Sequence, residues 1–430
     1  MSSPYPVIGV IGATVWGNRG AEAMLATTVG QVRRRWPEAR FRVFSYYPVQ
    51  DSYLIKDERL EILDARPITL VFSHLPFALL CWCFKLVRLR APDLIVSREI
   101  RALRSCDVLL DIPGIAFADG REKFLPFNIL TLWPALLLGV PVVKLAQALG
   151  PFRNPLNRCL AKIFLRRCHR VFARGPVTGD HLGSLRDPRI SWAISADTAF
   201  LFEEKFSLST ENEQKMEEAE EHLASLRKSS DLLVGICPSS LLWSNSRKRG
   251  RDYTGLLARL VLNVSRTNGR IRFLVFPNAT REGSHGARNN DLRAVSALRN
   301  ELRTLAPSIE AEGIVWVDFD VNTASIRKLL SRADVLITSR FHAMIAALCL
   351  SVPSVVIGWS HKYREVLQQF GLGDYSFAFD ESPEDLVENF LVLLDDLATI
   401  RSRIQETHDA VRLLAEEQFR ELEGLLGSGE

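Results

Sequence analysis

The chain has 430 residues, a length that favours two domains of ordinary size over one compact core. With 47% hydrophobic and 24% charged residues, it has the composition of a folded globular protein and not of a disordered chain. The formal net charge of +4 is mild, and the basic residues form only short clusters such as Arg247-Lys248-Arg249. A nucleic-acid-binding protein would show a dense basic stripe with aromatic residues, so we expect no nucleic-acid partner.

Seven cysteines are scattered along the chain without a Cys-x-x-Cys pair and mostly inside apolar runs, so we expect reduced core residues. The first residues lead directly into a strand, and no signal-peptide pattern is visible. We therefore expect a cytoplasmic protein, with peripheral contact at the inner face of the membrane as a further option. We expect neither a metal ion nor a cofactor.

The first strand, Val7 to Ile11, runs into a glycine-rich turn that opens a helix reaching about Arg35. The turn has the spacing Gly17-Asn18-x-Gly20, which differs from the Gly-x-Gly-x-x-Gly pattern of dinucleotide-binding proteins. Glycines at such a turn let backbone amides approach a ligand. Asn18 therefore has two interpretations, a ligand contact or a residue that shapes the turn.

A strongly apolar segment runs from Ile68 to Val87 and is followed by Arg88 and Arg90. A membrane-spanning helix needs about 20 apolar residues, and polar residues and a proline interrupt this run. The pattern favours a core helix. The alternative is a helix that lies on an anionic membrane surface with its basic flank.

Strands and helices alternate through the first half of the chain, which predicts a doubly wound parallel sheet in a domain covering residues 1–205. Three polar residues fall at strand ends, namely Gln147, Arg174 and Asp197. A basic helix is predicted for Arg158 to Cys168. The further strands predicted here are Phe41 to Ser45, Asp107 to Asp111, Val142 to Ala146, Arg170 to Ala173, and Ile194 to Phe200.

A Glu-rich helical segment, Ser207 to Ser230, separates the halves and predicts a connector over residues 206–230. The strand and helix rhythm then restarts, so residues 231–375 form the second predicted domain, followed by C-terminal helices over 376–430. A long polar loop follows Phe276 and contains Asn278 and Asp291. The strands predicted before the last β-α-β unit are Leu232 to Cys237, Ile271 to Phe276, and Ile314 to Val317.

The last β-α-β unit has strands Val335 to Thr338 and Ser354 to Ile357, with a helix over Phe341 to Leu350. Ligands collect at the carboxyl ends of parallel strands, where Ser339, Arg340 and His342 stand. The sequence pattern also predicts a role for each of these three residues. Ser339 is predicted to cap the helix, so that its free amides face an anion, while Arg340 adds a planar cation and His342 a titratable imidazole.

Two of these assignments have a simpler alternative. An isolated histidine is often a capping or core residue, so His342 gains its meaning from the Ser-Arg-Phe-His-Ala unit around it. Lys362 follows the second strand of the unit and either brings another cation to the same edge or is an ordinary surface lysine.

Several pieces of the chain, in order between about Ile8 and Leu372, resemble the polysaccharide pyruvyl transferase family. The pieces are Gly-Asn-x-Gly-x-Glu-Ala-Met from Gly17, Gln147-x-x-Gly-Pro, Arg174 after a strand, Asp197-x-Ala199, Ser339-Arg-Phe-His-Ala with the following Val-Pro, and Lys362. The sequence departs from the family at Asp111-Ile-Pro-Gly114-Ile, where a glycine run is expected, and at Asn278, where a histidine is usual. Both departures bear on the acceptor side.

The resemblance implies an α/β, GT-B-like protein in which two Rossmann-like doubly wound parallel-sheet domains face a cleft. It implies transfer of pyruvate from phosphoenolpyruvate onto a sugar of a polysaccharide, glycolipid or lipid-linked saccharide as a ketal. By this resemblance His342 is the catalytic residue, and Arg174 and Arg340 bind phosphoenolpyruvate. Ser339, Phe341 and Lys362 are assigned to the same donor side. The residues assigned to the acceptor side and the cleft are Gly17, Asn18, Gly20, Gln147, Asp197, Asn278 and Asp291.

Two other functions fit the same outline. A GT-B glycosyltransferase that uses a nucleotide sugar shares the two-domain layout and also uses a helix N-terminus for phosphates. A non-catalytic sugar-binding homologue would keep the fold without the chemistry.

Overall fold

The computed structural model describes residues 5–203, 212–281, 289–358, 361–378 and 382–427. The chain forms two compact units. Unit 1 contains Met1–Trp16, Ala21–Ser209 and Arg412–Glu430, and unit 2 contains Gly17–Gly20 and Thr210–Val411.

Unit 1 is built on a parallel sheet whose strand order is β3-β2-β1-β4-β6-β7-β8, with β5 paired to β6. The strands are β1 (Val7–Ile11), β2 (Arg40–Ser45), β3 (Leu60–Asp64), β4 (Val108–Asp111), β5 (Ile115–Ala118), β6 (Val142–Gly150), β7 (Arg170–Arg174) and β8 (Trp192–Ser195). All residues of β1 and β4 are buried, as expected for central strands with helices on both faces.

The helices that begin in unit 1 are α2 to α9, and α1 begins at the end of the turn that unit 2 includes. Their bounds are α1 (Arg19–Arg35), α2 (Pro48–Leu54), α3 (Pro67–Thr69), α4 (Leu75–Leu86), α5 (Arg98–Arg104), α6 (Leu125–Leu130), α7 (Trp133–Leu138), α8 (Pro155–Leu165) and α9 (Pro176–Ser184). A π-helical turn, Leu70–His74, joins α3 to α4, so the chain is helical from Pro67 to Leu86.

Unit 2 has a second parallel sheet, with strand order β11-β10-β9-β12-β13-β14. The strands are β9 (Leu232–Cys237), β10 (Ile271–Val275), β11 (Ile314–Trp316), β12 (Val335–Thr338), β13 (Ser354–Gly358) and β14 (Ser376–Ala378). The helices are α10 (Glu213–Lys228), α11 (Ser240–Lys248), α12 (Tyr253–Thr267), α13 (Leu292–Leu305), α14 (Pro307–Glu312), α15 (Thr323–Leu330), α16 (Phe341–Cys349), α17 (His361–Gln369), α18 (Pro383–Asp395) and α19 (Leu397–Leu426).

The structure differs from the predicted boundaries at both ends of unit 2. The predicted connector contains α10, whose Met216, Ala219 and Leu223 are buried in the core of unit 2. The last part of α19 belongs to unit 1, because the buried side chain of Gln418 bonds to backbone groups of β6 and of the turn after β8. The predicted connector helix α10 is therefore part of unit 2, and α19 begins in unit 2 and ends in unit 1.

Three strands were not predicted from the sequence, namely β3, β5 and β14. Asp197 also lies outside its predicted strand, since β8 ends at Ser195 and a 3₁₀ turn begins at Thr198. The side chain of Asp197 accepts the backbone N–H of Ala199 at 2.9 Å, which starts that turn. Not all cysteines are core residues, because Cys83 and Cys159 are exposed.

Candidate functional site

The predicted site residues fall into two groups, one in each unit. The group in unit 1 contains Gln147, Arg174 and Asp197. The group in unit 2 is larger, because the turn Gly17–Gly20 belongs to that unit. Its members are Gly17, Asn18, Gly20, Asn278, Asp291, Ser339, Arg340, Phe341, His342 and Lys362.

The unit 2 group is arranged around the start of α16, which follows β12 after a two-residue turn. All residues of β12 are buried, as are seven of the nine residues of α16. The N-cap residue is Arg340, whose side chain makes no capping hydrogen bond. The predicted cap by Ser339 is therefore wrong. Its hydroxyl instead shares a 2.7 Å hydrogen bond with the buried hydroxyl of Tyr253, which lies 86 positions earlier in the sequence.

Arg340 forms an ion pair with Asp291, whose side chain is fully buried. The guanidinium also donates to Oδ1 of Asn289 at 2.9 Å. Burial by itself would lower the pKa of Arg340, but the carboxylate of Asp291 outweighs this and raises the pKa above its ordinary value. Arg340 is therefore a permanent cation whose fork is held in one orientation by Asp291.

Asp291 was predicted on the acceptor side, and the structure places it under the guanidinium of Arg340. Its Oδ1 accepts the backbone N–H of Ser240 at 2.9 Å. Its Oδ2 accepts the N–H groups of Asn278 and Ala279 at 3.2 and 2.9 Å. Three loop segments after three different strands are thus tied to one carboxylate, which fixes the backbone beside Arg340.

His342 lies against Gly20, in the first turn of α1. A Cβ atom added to Gly20 would lie 2.1 Å from Nδ1 of His342, so only glycine leaves room for the imidazole. Asn18 accepts the N–H of Gly20 at 3.1 Å through its side chain. This contact supports the turn-shaping interpretation of Asn18. The turn then places Gly20 beside the imidazole ring of His342.

Phe341, Lys362 and Tyr363 complete the same cluster. The ammonium of Lys362 lies 5.0 Å from the ring centre of Phe341 and 5.1 Å from that of Tyr363. The Phe341 ring is also 5.2 Å from the His342 ring, edge to face. Tyr363 donates its hydroxyl to the carbonyl of Ser339 at 3.0 Å. Lys362 therefore stands beside the start of α16, where its predicted role requires it to be.

A further ion pair in unit 2 was not predicted from the sequence. Arg19 is buried and pairs with Asp320 at 3.1 Å, and its N–H donates to the carbonyl of Asn278 at 3.1 Å. The hydroxyl of Thr323 donates to the carbonyl of Arg19 at 2.9 Å. These contacts hold the turn Gly17–Gly20. The only sequence signal for them was the polar character of the loops, which does not identify partners.

In unit 1, Arg174 ends β7 and pairs with Asp197 at 2.9 Å, with both side chains almost fully buried. A Cβ atom on Gly114 would lie 3.8 Å from a guanidinium nitrogen of Arg174, so this glycine lies next to the arginine. Gly114 is the remaining glycine of the segment in which the sequence departs from the family.

Gln147 lies on β6 next to β7, paired in register with Ala173. Its amide group donates to the carbonyls of Asp111 and Leu145 at 3.2 and 3.1 Å. Asp111 in turn forms a buried ion pair with Lys144, which the sequence reading missed. Burial, with the nearby charge of Asp111, raises the pKa of Tyr46 well above its ordinary value. Within the described residues, Oδ1 of Asp111 and Oε1 of Gln147 are buried acceptors without a donor.

The two parallel sheets define an α/β protein of GT-B-like fold, and solved structures agree with this class. UDP-GlcNAc 2-epimerase from Neisseria meningitidis, bound to UDP-GlcNAc, superposes with a TM-score of 0.55 at 13% identity, covering 98% of this chain and 99% of that one. HepE from Anabaena in complex with UDP gives a TM-score of 0.58 at 12% identity, covering 97% and 100%. At such identities the similarity establishes the fold alone.

A sequence model of the polysaccharide pyruvyl transferase family matches residues 18–361, which is most of the chain. The protein belongs to this family. The match includes both halves of the candidate site, from Asn18 in the glycine turn to the Ser-Arg-Phe-His-Ala unit. The predicted family and the predicted GT-B-like fold class are thus confirmed, and the family is one of transferases.

Proposed function

We propose that this protein transfers pyruvate from phosphoenolpyruvate to a sugar and forms a cyclic ketal. The observation that carries the proposal is the placement of His342. Its imidazole lies against Gly20 of the glycine turn, and His342 follows Arg340, the partner of Asp291, by two residues at the start of α16. The ammonium of Lys362 lies over the ring of the intervening Phe341. A titratable group thus shares a helix N-terminus with two cations, an arrangement suited to a small dianion that must be protonated.

The donor carries a carboxylate and a phosphate, and both need charge-assisted partners. In unit 2, Arg340 and Lys362 supply two cations, and the first amides of α16 supply further donors. Asp291 takes part of the hydrogen-bonding capacity of Arg340, so we assign the remaining N–H groups of its fork to the donor. We assign Arg174 to donor binding on the basis of the family resemblance.

The reaction requires one proton at the methylene carbon of phosphoenolpyruvate. Protonated His342 would deliver it, so that the C=C double bond is lost and an oxocarbenium-like centre forms at the neighbouring carbon. A sugar hydroxyl adds to that carbon and releases its proton. The C–O bond to phosphate then breaks, phosphate leaves with the bonding pair, and a second hydroxyl of the same sugar closes the ketal and releases its own proton. One released proton restores the imidazole and the other ends on phosphate.

The acceptor side is proposed for the unit 1 group. This assignment rests on the family resemblance, because the acceptors Asp111 Oδ1 and Gln147 Oε1, which lack a donor among the described residues, belong to fully buried side chains. A saccharide acceptor agrees with the family. Whether that saccharide is free or lipid-linked is a question for the acceptor panel below.

The test replaces His342 by Ala and by Gln. Binding of phosphoenolpyruvate would be measured by calorimetry, and transfer by mass spectrometry with a panel of p-nitrophenyl hexosides and a lipid-linked hexose. We expect both variants to bind the donor with near-parent affinity, because Arg340 and the helix N-terminus remain. Turnover should fall by roughly two to four orders of magnitude, because the proton donor is lost.

Three results would contradict the proposal. Near-parent transfer by His342→Ala would show that His342 is not the proton donor. Stabilisation by UDP-sugars and not by phosphoenolpyruvate in a thermal-shift panel would favour the glycosyltransferase alternative. Sugar binding without transfer from either donor would favour a non-catalytic homologue.

A further inference from the structure

The helical segment from Pro67 to Leu86 in unit 1, together with the chain up to Ile95, forms an unusual surface. Nine of the 19 large apolar side chains that are exposed in the described residues lie between Ile68 and Ile95. The segment is also the one helix in the described residues that is long and apolar enough to cross a membrane, judged by length and composition. Only 22% of that stretch is buried.

One side of the helix is packed on unit 1. Leu70, His74, Ala78 and Cys81 are buried, and their spacing of four, four and three residues places them on one helical stripe. Leu70, Ala78 and Cys81 belong to the hydrophobic core of the unit. His74 is bonded through Nε2 to the carbonyl of Asp64 at 2.9 Å. These contacts fix the helix along the surface of unit 1. The predicted core position therefore holds for this buried stripe and not for the rest of the helix.

The opposite side, which we call the apolar face, consists of the exposed Val71, Phe72, Trp82 and Leu86, with the half-buried Leu79 among them. Phe72 is 75% exposed and Leu86 is 63% exposed. A surface helix normally turns charged residues outward, and this one has Lys85 as its single charged residue between Pro67 and Leu86. The chain after α4 continues the surface with four more exposed apolar side chains, Val87, Leu89, Leu94 and Ile95.

The charge around the apolar face is basic in excess, although Arg66, Arg90 and Arg98 have the acidic partners Asp64, Asp93 and Glu61. Residues 66–101 contain six basic and two acidic residues. Within the described part of the chain, Lys85, Arg88 and Arg101 have no acidic partner within ion-pair distance, and Arg88 and Arg101 are exposed. Exposed cations next to exposed apolar side chains match a surface that is apolar inside and anionic outside.

We propose that unit 1 docks on the surface of an anionic lipid bilayer, with the apolar face inserted at the headgroup boundary and Lys85, Arg88 and Arg90 on lipid phosphates. This inference uses unit 1 alone and does not depend on the proposed reaction. It goes beyond the family match, which concerns the transferase and says nothing about a membrane.

Two other ways of covering the apolar face agree less well with the structure. A two-fold contact with a second copy would bring the same patch against itself, and the basic residues around it would repel one another. A helix that crosses the bilayer would have to leave unit 1, which would expose Leu70, Ala78 and Cys81 and break the bond of His74. The bilayer surface covers the face and leaves these contacts intact.

The experiment uses the full chain and sedimentation with vesicles of phosphatidylcholine, with and without phosphatidylglycerol. One variant combines Phe72→Asp with Leu86→Asp, and a second combines Arg88→Glu with Arg90→Glu. The matched control is Val392→Asp, because Val392 is 57% exposed on α18 of unit 2. All changes are at exposed positions, and thermal unfolding of each variant would confirm that the fold is unchanged.

We expect the parent and Val392→Asp to bind vesicles that contain phosphatidylglycerol. The aspartate pair should lower the partition coefficient at least tenfold, and the glutamate pair should lower it by about tenfold or more and remove its salt dependence. The proposal is overturned if the parent does not bind, if the aspartate pair binds as the parent does, or if alkaline carbonate fails to release the bound protein. A parent dimer that the aspartate pair converts to a monomer would also overturn it in favour of a second copy.

Discussion

Two helices of this protein have almost the same apolar character and opposite surroundings. Seven of the nine residues of α16 are buried, whereas two of the twelve residues of α4 are. The helix α16 is the crossover between the paired strands β12 and β13, so the sheet and neighbouring helices cover most of it. The helix α4 lies in the long connection between β3 and β4 and is packed along one stripe only.

The comparison shows that apolar composition tells us that a helix must be covered but not what covers it. Because most of α16 is buried, its first turn is held rigidly in place. Arg340 and His342 lie at this turn. The uncovered face of α4 has no such role within unit 1. We therefore expect changes in α16 to act on folding and on the site, and changes in α4 to act on an external surface.

The sharpest test of this contrast places the same residue in both helices. Leu348→Asp would bury a charge in α16 where the parent side chain has no exposure, and Phe72→Asp would add a charge at a position that is 75% exposed. We expect the first change to cost more than about 3 kcal/mol in the free energy of unfolding. The second should stay within about 0.5 kcal/mol. Urea unfolding followed by circular dichroism measures both.

Comparable losses at the two positions would break the comparison, because the outer face of α4 would then be covered within the protein. A tolerated Leu348→Asp would show that α16 is less tightly packed than described. The isosteric change Leu348→Asn is the control that separates the effect of the charge from that of the shape.

Much of the fold could be predicted from the sequence because strand and helix alternate with clear apolar periods. The strands β9 and β12 were predicted to the residue, and the strand ends correctly located Arg174 and Arg340. Gln147 was predicted just after a strand, but β6 continues to Gly150 and holds Gln147 within it. What the sequence could not give were contacts between distant segments. The Ser339 cap was predicted from local rules, but the hydroxyl of Tyr253 competes for the same side chain. Asp291 lies 49 positions before Arg340, and no local pattern marks the pair.

The strands β5 and β14 were missed, and the surroundings of the apolar segment were misassigned, for different physical reasons. The strand β5 is paired to β6 alone, and β14 at the edge of its sheet has three residues, so neither has the long apolar run of a central strand. The α4 segment was assigned to the core because its composition is the same whether protein or another medium covers it. Only the three-dimensional position of Phe72 and Leu86 makes that distinction.

The second prediction concerns the position of the His342 ring against Gly20. Gly20→Ala would place a methyl group where the imidazole now lies, and the ring would have to move. On the proposed mechanism, we expect kcat to fall by about tenfold to a hundredfold with phosphoenolpyruvate affinity within about threefold. The measurement is transfer to the best hexoside of the panel together with donor calorimetry.

The control for that change is Gly30→Ala in the same helix, since a Cβ atom there meets nothing within 4 Å. It should keep full activity and raise the free energy of unfolding by about 0.5–1 kcal/mol. If Gly20→Ala and Gly30→Ala leave the rate equally unchanged, the position of His342 against Gly20 is not needed for the reaction.

The smallest expected effect tests the packed stripe of α4 through His74. Burial lowers the pKa of His74 below its ordinary value of 6.5, although the carbonyl of Asp64 and the charges of Glu99 and Asp64 partly oppose this. Below that ordinary value the unfolded chain binds a proton that the folded protein resists, so stability must fall as the pH falls through this window. The slope cannot exceed about 1.4 kcal/mol per pH unit for one group.

We expect His74→Gln, which keeps a donor for the Asp64 carbonyl, to flatten the pH dependence of the free energy of unfolding between about pH 7.5 and pH 5.5, measured by urea unfolding. His222→Gln, at an exposed position, is the control for a His-to-Gln change outside the packed stripe. Identical slopes for the parent and His74→Gln would mean that His74 is hydrated in the folded protein, and the inner stripe of α4 would then be less firmly packed on unit 1 than the contrast with α16 requires.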